Sequence, residues 1–141
     1  MKRNIFLLCA LVAVMVAFTS CQQEEYSAND IFGTWRCPSE GLEPDGNYQY
    51  WVFSQERTDD ANYPYYGHTW DEGDDVKESD LTPYGNGWFK YSIQITQLKE
   101  IHMMEYGWAE IPKIYTITLL NSNTLSYKDD FGKSHTLTRV R

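Results

Sequence analysis

Apolar and polar residues alternate with a period of two along several stretches of this chain. Tyr91, Ile93 and Ile95 are separated by serine and glutamine, and the same alternation returns at 115–119 and 125–127. Successive side chains of a β-strand point to opposite faces, so the pattern predicts half-buried antiparallel strands. Beyond the apolar N-terminal segment, no stretch keeps the 3.6-residue period of an amphipathic helix. The alternation therefore predicts an all-β fold.

Turn-forming sequences separate these stretches, among them "EGLEPDGN", "PYGNG" and "DDFG", where Gly132 is placed for the left-handed position of a short hairpin. No Gly or Pro marks a break directly before the segment 96–104, which is either a separate strand or a continuation of the preceding one. We count it as a separate strand. Eight strands with short connections predict a small antiparallel up-and-down meander, closed as a barrel or folded as a sandwich. We favour the barrel, because closure removes the exposed edges of the first and last strands. The predicted strands are 31–37, 47–54, 62–70, 87–96, 98–104, 112–120, 124–129 and 134–141.

The N-terminus has the pattern of a secretory signal: Lys2 and Arg3, an apolar run at 5–18, then small residues. The run is shorter than the ~20 residues of a spanning helix. "FTSC" resembles the lipobox of bacterial lipoproteins, which implies acylation of Cys21 and anchoring in the outer membrane of the cell envelope; the alternative is a secreted protein with unmodified Cys21. "QQEE" resembles the export signal of Bacteroidetes surface lipoproteins. The predicted divisions are a lipoprotein signal peptide at 1–20, an acylated flexible tether at 21–30 and a barrel domain at 31–141.

Charge and cysteine content limit the partners. The chain has 20 acidic and 12 basic residues, for a net charge of −8. Such a charge repels phosphate backbones, so we expect no nucleic-acid partner. Of the three cysteines, Cys9 lies in the signal and Cys21 in the lipobox, which leaves Cys37 without a disulfide partner. Cys37 is expected to be a small buried hydrophobe.

"GTW" at 33–35, in the first predicted strand, resembles the Gly-x-Trp motif of lipocalins. The segments 70–85 and 113–141 look like those of lipocalin-like lipoproteins of Bacteroidetes, so the resemblance to this part of the calycin superfamily covers the whole domain. It implies an eight-stranded barrel and a basic residue on the last strand that stacks across Trp35. Gly33 would let that segment approach closely. The barrel-closing candidates are Gly33, Trp35, Arg139 and Arg141.

Aromatic residues are abundant, with five Trp and eleven Tyr. They either fill the core of a small barrel or line a pocket for a flat, apolar or sugar-like ligand. Trp35 is assigned to the closed end. The ligand-binding candidates are Tyr66, Trp70, Trp88 and Trp108 near strand ends, with Tyr91 and Tyr115 on strands.

No catalytic motif, metal-ligand spacing or cofactor motif is present. The acidic run at 71–80 does not match an EF-hand and is interpreted as a solvated loop. The histidines His68, His102 and His135 show no pairing typical of a metal site. We therefore predict a non-catalytic, cofactor-free binder of a small apolar or aromatic-stacking ligand, with its oligomeric state left open. The alternative is a filled barrel that contacts glycan or protein through loops 55–62, 71–87 and 105–111, where Tyr65, Tyr84, Tyr106 or Trp108 would form one patch.

Overall fold

The computed structural model describes residues 25–40 and 46–141. The predicted signal peptide and Cys21 lie outside these residues. In the described part of the chain, no helix is long and apolar enough to cross a membrane. Besides two short 3₁₀ helices, the elements of the described residues are one α-helical turn, α1 (Ala28–Ile31), and nine strands: β1 (Gly33–Pro38), β2 (Tyr48–Arg57), β3 (Tyr65–Asp71), β4 (Trp88–Gln94), β5 (Gln97–Met104), β6 (Gly107–Trp108), β7 (Lys113–Leu120), β8 (Thr124–Lys128) and β9 (Ser134–Arg139).

Eight of the strands form a closed barrel. Each pairs antiparallel with its neighbour in the order β1, β2, β3, β4, β5, β7, β8 and β9, and β9 pairs back to β1. Strand β6 has two residues and pairs with β5 at its edge. The structure confirms the predicted all-β, eight-stranded up-and-down barrel, and the eight predicted strands match within three residues at each end. The short β6 was not predicted.

Strands β4 and β5 are separate, joined by Ile95 and Thr96. Ile95 has a φ of +59°, a left-handed conformation that β-branched residues rarely adopt. The backbone N–H of Tyr26 donates a 2.8 Å hydrogen bond to the Ile95 carbonyl, so the N-terminal segment packs on this turn. Because isoleucine is not a turn residue, the sequence carried no signal for this break. At the last hairpin, Gly132 does adopt a left-handed φ of +78°.

The predicted flexible tether differs from the structure at its C-terminal end. Residues 28–30 belong to α1, and Tyr26 packs against the hydrophobic core. Ile31, predicted to begin the first strand, instead ends α1 and is fully buried. The packed domain therefore begins before residue 31.

One end of the barrel is filled by its own side chains. Trp35 and Leu125 are fully buried there, and in the adjoining core Phe53 makes edge-on contacts with Phe89 and Tyr91 at centroid distances of 5.6 and 5.1 Å. Such edge-on pairs contribute about 0.5–1.5 kcal/mol beyond the area they bury. For this part of the barrel, the core-filling interpretation of the aromatic content holds.

The filled end is covered by α1 and by the C-terminal end of β9. The Trp35 indole donates a 2.8 Å hydrogen bond to the Ile31 carbonyl. The Arg139 guanidinium lies 4.2 Å from the Trp35 ring centroid and donates to the carbonyls of Asp30 and Ser122. We call this the closed end.

Gly33 lies directly beside this arginine. Its φ is +133°, and a Cβ built there would lie 2.5 Å from the Arg141 carbonyl oxygen and 2.6 Å from the Arg139 side chain. The Thr34 N–H also donates to the Arg141 carbonyl at 2.8 Å. Of the two candidate arginines, Arg139 thus stacks on Trp35, while Arg141 contributes its backbone and an exposed side chain near Glu78.

The opposite end of the barrel, which we call the mouth end, carries four connections between neighbouring strands. These join β1 to β2, β3 to β4, β5 to β7 and β8 to β9. The β3–β4 connection contains two single-turn 3₁₀ helices, Glu72–Asp74 and Glu78–Asp80.

Candidate functional site

A cavity of about 360 Å³ lies at the mouth end. Its wall is formed by strand residues at the mouth ends of β1, β2, β7, β8 and β9, and its rim by the β8–β9 connection. Because these positions follow the core residues at a spacing of two, their side chains continue the inner face of the barrel. The lining residues are Cys37, Glu40, Gln49, Trp51, Lys113, Tyr115, Tyr127, Asp129, Asp130, Phe131 and His135.

Aromatic rings form much of the wall. The rings of Tyr115 and Tyr127 are 4.9 Å apart at 59°, and His135 stacks on Tyr127 at 5.1 Å and 23°. Trp51 adds an indole to the same cavity. Burial raises the pKa of both tyrosines, with a further increase from the nearby negative charge of Glu100. Both phenols are therefore neutral near pH 7 and available as hydrogen-bond donors.

Asp129 organises the rim. Its carboxylate accepts the backbone N–H groups of Phe131 and Lys133 at 3.0 and 2.9 Å, and its second oxygen lies 2.9 Å from His135 Nε2. The His135 hydrogen bond and then these backbone donors lower the pKa of the Asp129 carboxyl. The tight turn presents the Phe131 side chain, 97% exposed, beside the cavity entrance.

Cys37 lines the cavity as a free, half-buried thiol. Burial raises its pKa, and the negative charges of Glu40 and Asp71 raise it further. The thiolate is the nucleophilic form of cysteine, so this environment disfavours nucleophilic chemistry at Cys37.

A buried carboxylate lies on the inner face of β5. Glu100 is 2% exposed, and its Oε2 atom lies 2.8 Å from His102 Nε2. A buried carboxylate is tolerated only with hydrogen-bond partners, and His102 supplies one. The negative charge of Glu100 contributes to the raised pKa of Tyr115 and Tyr127.

The six ligand-binding candidates do not come together. Tyr115 lines the mouth cavity. Tyr91 is in the core, where its hydroxyl donates a 2.9 Å hydrogen bond to the Ser54 carbonyl. The other four alternate with core residues of their strands or lie on β6, and therefore occupy the outer surface rather than the rim; they are Tyr66, Trp70, Trp88 and Trp108.

These four residues join a continuous set of rings outside the barrel, which we call the outer aromatic cluster: Tyr66, His68, Trp70, Tyr84, Trp88 and Trp108. Tyr66 lies 4.8 Å from Tyr84 and 6.2 Å from Trp108, measured between ring centroids. His68 connects Trp88 at 4.9 Å with Trp70 at 5.9 Å. Lys90 places its ammonium 4.6 Å from the Trp108 ring centroid. The expected patch is thus only partly formed, since Tyr65 packs inside against Phe32 and Tyr91.

The sequence did not single out most of the cavity residues. Trp51, Tyr127 and His135 each lie two positions from a core residue of their own strand, namely Phe53, Leu125 and Leu137. Extending the period-two alternation toward the mouth end of each strand would have identified them. Of the six candidates, the four near strand ends lie outside the barrel, and only Tyr115 of the two on strands lines the cavity.

The acidic run and the histidines are engaged in local hydrogen bonds. Asp71 accepts from the Ser39 hydroxyl at 2.6 Å and from the Gly73 N–H at 2.8 Å. Each histidine lies near one carboxylate: His68 with Glu78, His102 with Glu100 and His135 with Asp129, at 3.0, 2.8 and 2.9 Å. Within residues 25–40 and 46–141, no three His, Cys, Asp or Glu side chains form a group that could hold a metal ion.

Comparison with known protein families, curated proteins and solved structures found no match to this chain. A barrel of this kind hosts many unrelated functions. The function is therefore argued from the cavity and its side chains.

Proposed function

We propose that this protein binds a small apolar or aromatic ligand in its mouth cavity and does not catalyse a reaction. The observation that carries the proposal is the aromatic-walled cavity of about 360 Å³ at one end of an otherwise filled barrel. Ligand sites usually measure about 300–1,000 Å³, so the ligand is small, of the order of one to three rings. The resemblance of "GTW" to the lipocalin motif supports the same function.

The arrangement of the wall suits binding of a flat molecule. Tyr115, Tyr127 and Trp51 offer ring faces and edges, and the neutral phenols offer donors. The packed closed end holds β1 and β9 in place through the Trp35–Arg139 stack. A preorganised site of this kind loses little conformational entropy when a ligand binds.

Anchoring by an acylated Cys21 is part of the proposal. Tyr26 is fixed at the closed end through its bond to Ile95, five residues after Cys21. Five extended residues span at most about 17–18 Å. The closed end would therefore face the membrane, and the mouth would face away from it. Replacement of Cys21 by serine should move the protein from the membrane to the soluble fraction.

The neutral dye N-phenyl-1-naphthylamine provides a direct test. Its fluorescence should rise on addition of the protein, and Tyr115→Ala should weaken binding by about tenfold, equivalent to about 1.4 kcal/mol. Tyr66→Ala removes a tyrosine from the outer aromatic cluster and is the matched control, with an expected change below about twofold. No dye binding, or equal losses in the two variants, would contradict the proposal.

A second candidate function is favoured by the outer aromatic cluster. Tyr84 is 44% exposed and lies 5.0 Å from Trp88, so ring faces are available at the surface. Its hydroxyl donates to Glu56, which places a carboxylate beside the rings. Aromatic faces next to polar groups suit stacking of sugar rings, so the alternative is a surface module that contacts glycan. Quenching of Trp fluorescence by maltoheptaose or xylohexaose, lost in Tyr84→Ala but kept in Tyr115→Ala, would favour it.

A further inference from the structure

The two ends of the barrel differ in charge. The described residues of the four mouth-end connections include ten carboxylates and two lysines. The three hairpin connections at the closed end, 58–64, 95–96 and 121–123, contain two carboxylates, Asp59 and Asp60. Half of the 20 acidic residues of the chain thus lie in the connections of the mouth end, although Glu78 of the β3–β4 connection turns back to His68 and Arg141.

Negative charge also predominates in the cavity itself. Its lining contains three carboxylates, from Glu40, Asp129 and Asp130, against one lysine, Lys113. Lys133 compensates Glu40 through a 3.0 Å ion pair that is largely exposed, while Asp130 is exposed at the rim. Exposed ion pairs are screened and individually weak. A negative rim therefore overlies the aromatic wall.

Aromatic faces and carboxylates attract the same kind of ligand. The faces of Trp and Tyr carry negative electrostatic potential and attract an ammonium or guanidinium group. Trp51, Tyr115 and Tyr127 supply three such rings in one cavity. A cation seated among them would also lie beneath the rim carboxylates.

We infer that the ligand of the mouth cavity is a small organic cation, a protonated amine or quaternary ammonium group attached to an aromatic or apolar body. This inference rests on the proposed function, because it specifies the ligand class of the same cavity. An anionic ligand of equal size would approach the carboxylates of the rim and be repelled. The mouth-end charges also raise the local concentration of cations and speed their association.

Three probes with a common phenyl ring and different charges test the inference: 2-phenylethylammonium, 2-phenylethanol and phenylacetate. Each is titrated against the full protein loaded with N-phenyl-1-naphthylamine at about 50 mM salt, where screening is weak. The ammonium should displace the dye at a concentration about tenfold lower than the alcohol, and phenylacetate should be the weakest. The advantage of the ammonium should shrink at about 0.5 M salt, because charges at the rim are then screened.

The outcomes separate the two claims. Equal displacement by the ammonium and the alcohol, or stronger displacement by phenylacetate, would overturn the cation inference and leave the proposed binding function standing. Failure of the dye itself to bind would contradict the proposed function, and the inference with it.

A pair of charge variants locates the effect. Asp130→Asn at the rim should reduce the advantage of the ammonium by about threefold and leave the alcohol unchanged. Asp59→Asn, which removes one charge at the closed end, should leave both unchanged. Equal effects of the two variants would assign the preference to the net charge of the chain and overturn its assignment to the mouth.

Discussion

The rings of Tyr115 and Tyr127 lie 4.9 Å apart on two neighbouring strands and form one side of the mouth cavity. Both residues continue the inner face of a barrel whose opposite end is packed solid, Tyr127 directly above Leu125. One barrel therefore combines a filled core, which provides stability, with a small aromatic cavity, which provides a site. Changes at the two ends should have separable consequences.

At the closed end, Trp35→Ala should lower the free energy of unfolding by about 3–5 kcal/mol, because the side chain is fully buried and packed under Arg139. Arg139→Ala should cost less, since the guanidinium lies at the edge of the core. Urea titrations followed by circular dichroism measure both. Dye binding by the folded fraction should be unchanged, and selective loss of binding with a normal melting curve would contradict the assignment of Trp35 to structure.

Gly33→Ala should be more destabilising than Gly107→Ala. Both glycines have positive φ, +133° and +124°, so an alanine is strained at either position. Only at Gly33 would the added Cβ lie against other atoms, 2.5 Å from the Arg141 carbonyl, whereas the space at Gly107 is open. Thermal melts therefore compare backbone strain alone, in Gly107→Ala, with backbone strain plus steric overlap, in Gly33→Ala. Equal melting temperatures would show that the C-terminus moves aside without cost.

The Asp129 carboxyl should make stability depend on acidic pH. Its pKa is lowered in the folded state by the His135 hydrogen bond and by backbone donors, so its contribution is present above the ordinary Asp value of about 3.9 and is lost as the pH falls through the folded-state pKa. Asp129→Asn should melt below wild type at pH 7, and the difference should narrow in acid. Asp130→Asn, which removes an exposed carboxylate of the same turn, is the matched control, and a pH-independent difference for Asp129→Asn would contradict the assigned charge effect.

The Cys37 thiol should react slowly and be protected by ligand. Its pKa is raised by burial and by Glu40, and it lines the mouth cavity. In a chain carrying Cys9→Ser and Cys21→Ser, alkylation by iodoacetamide at neutral pH should be slower than that of free cysteine. Saturating N-phenyl-1-naphthylamine should slow it further. Reaction at an unchanged rate with bound dye would place the dye elsewhere.

The barrel was predictable from the sequence because period-two alternation is a local signal repeated on each strand. Ile95 shows where local signals fail: a β-branched residue takes a left-handed turn because the flanking strands and Tyr26 hold it there. The cavity was less accessible to prediction. A tryptophan faces inward when its position differs by an even number from that of a core residue of its strand, as for Trp51 and Phe53. Trp88 is next to the core residue Phe89 and therefore faces outward, whatever its distance from a loop.

Trp51 and the outer tryptophans also provide the most direct test of the central claim. In ¹⁵N-labelled protein, Trp51→Phe and Trp108→Phe assign the indole N–H resonances of the cavity and of the outer aromatic cluster. Titration with N-phenyl-1-naphthylamine should shift the Trp51 indole resonance and leave that of Trp108 in place, because only Trp51 lines the mouth cavity. A shift of the Trp108 resonance with Trp51 unmoved would contradict binding in the barrel mouth.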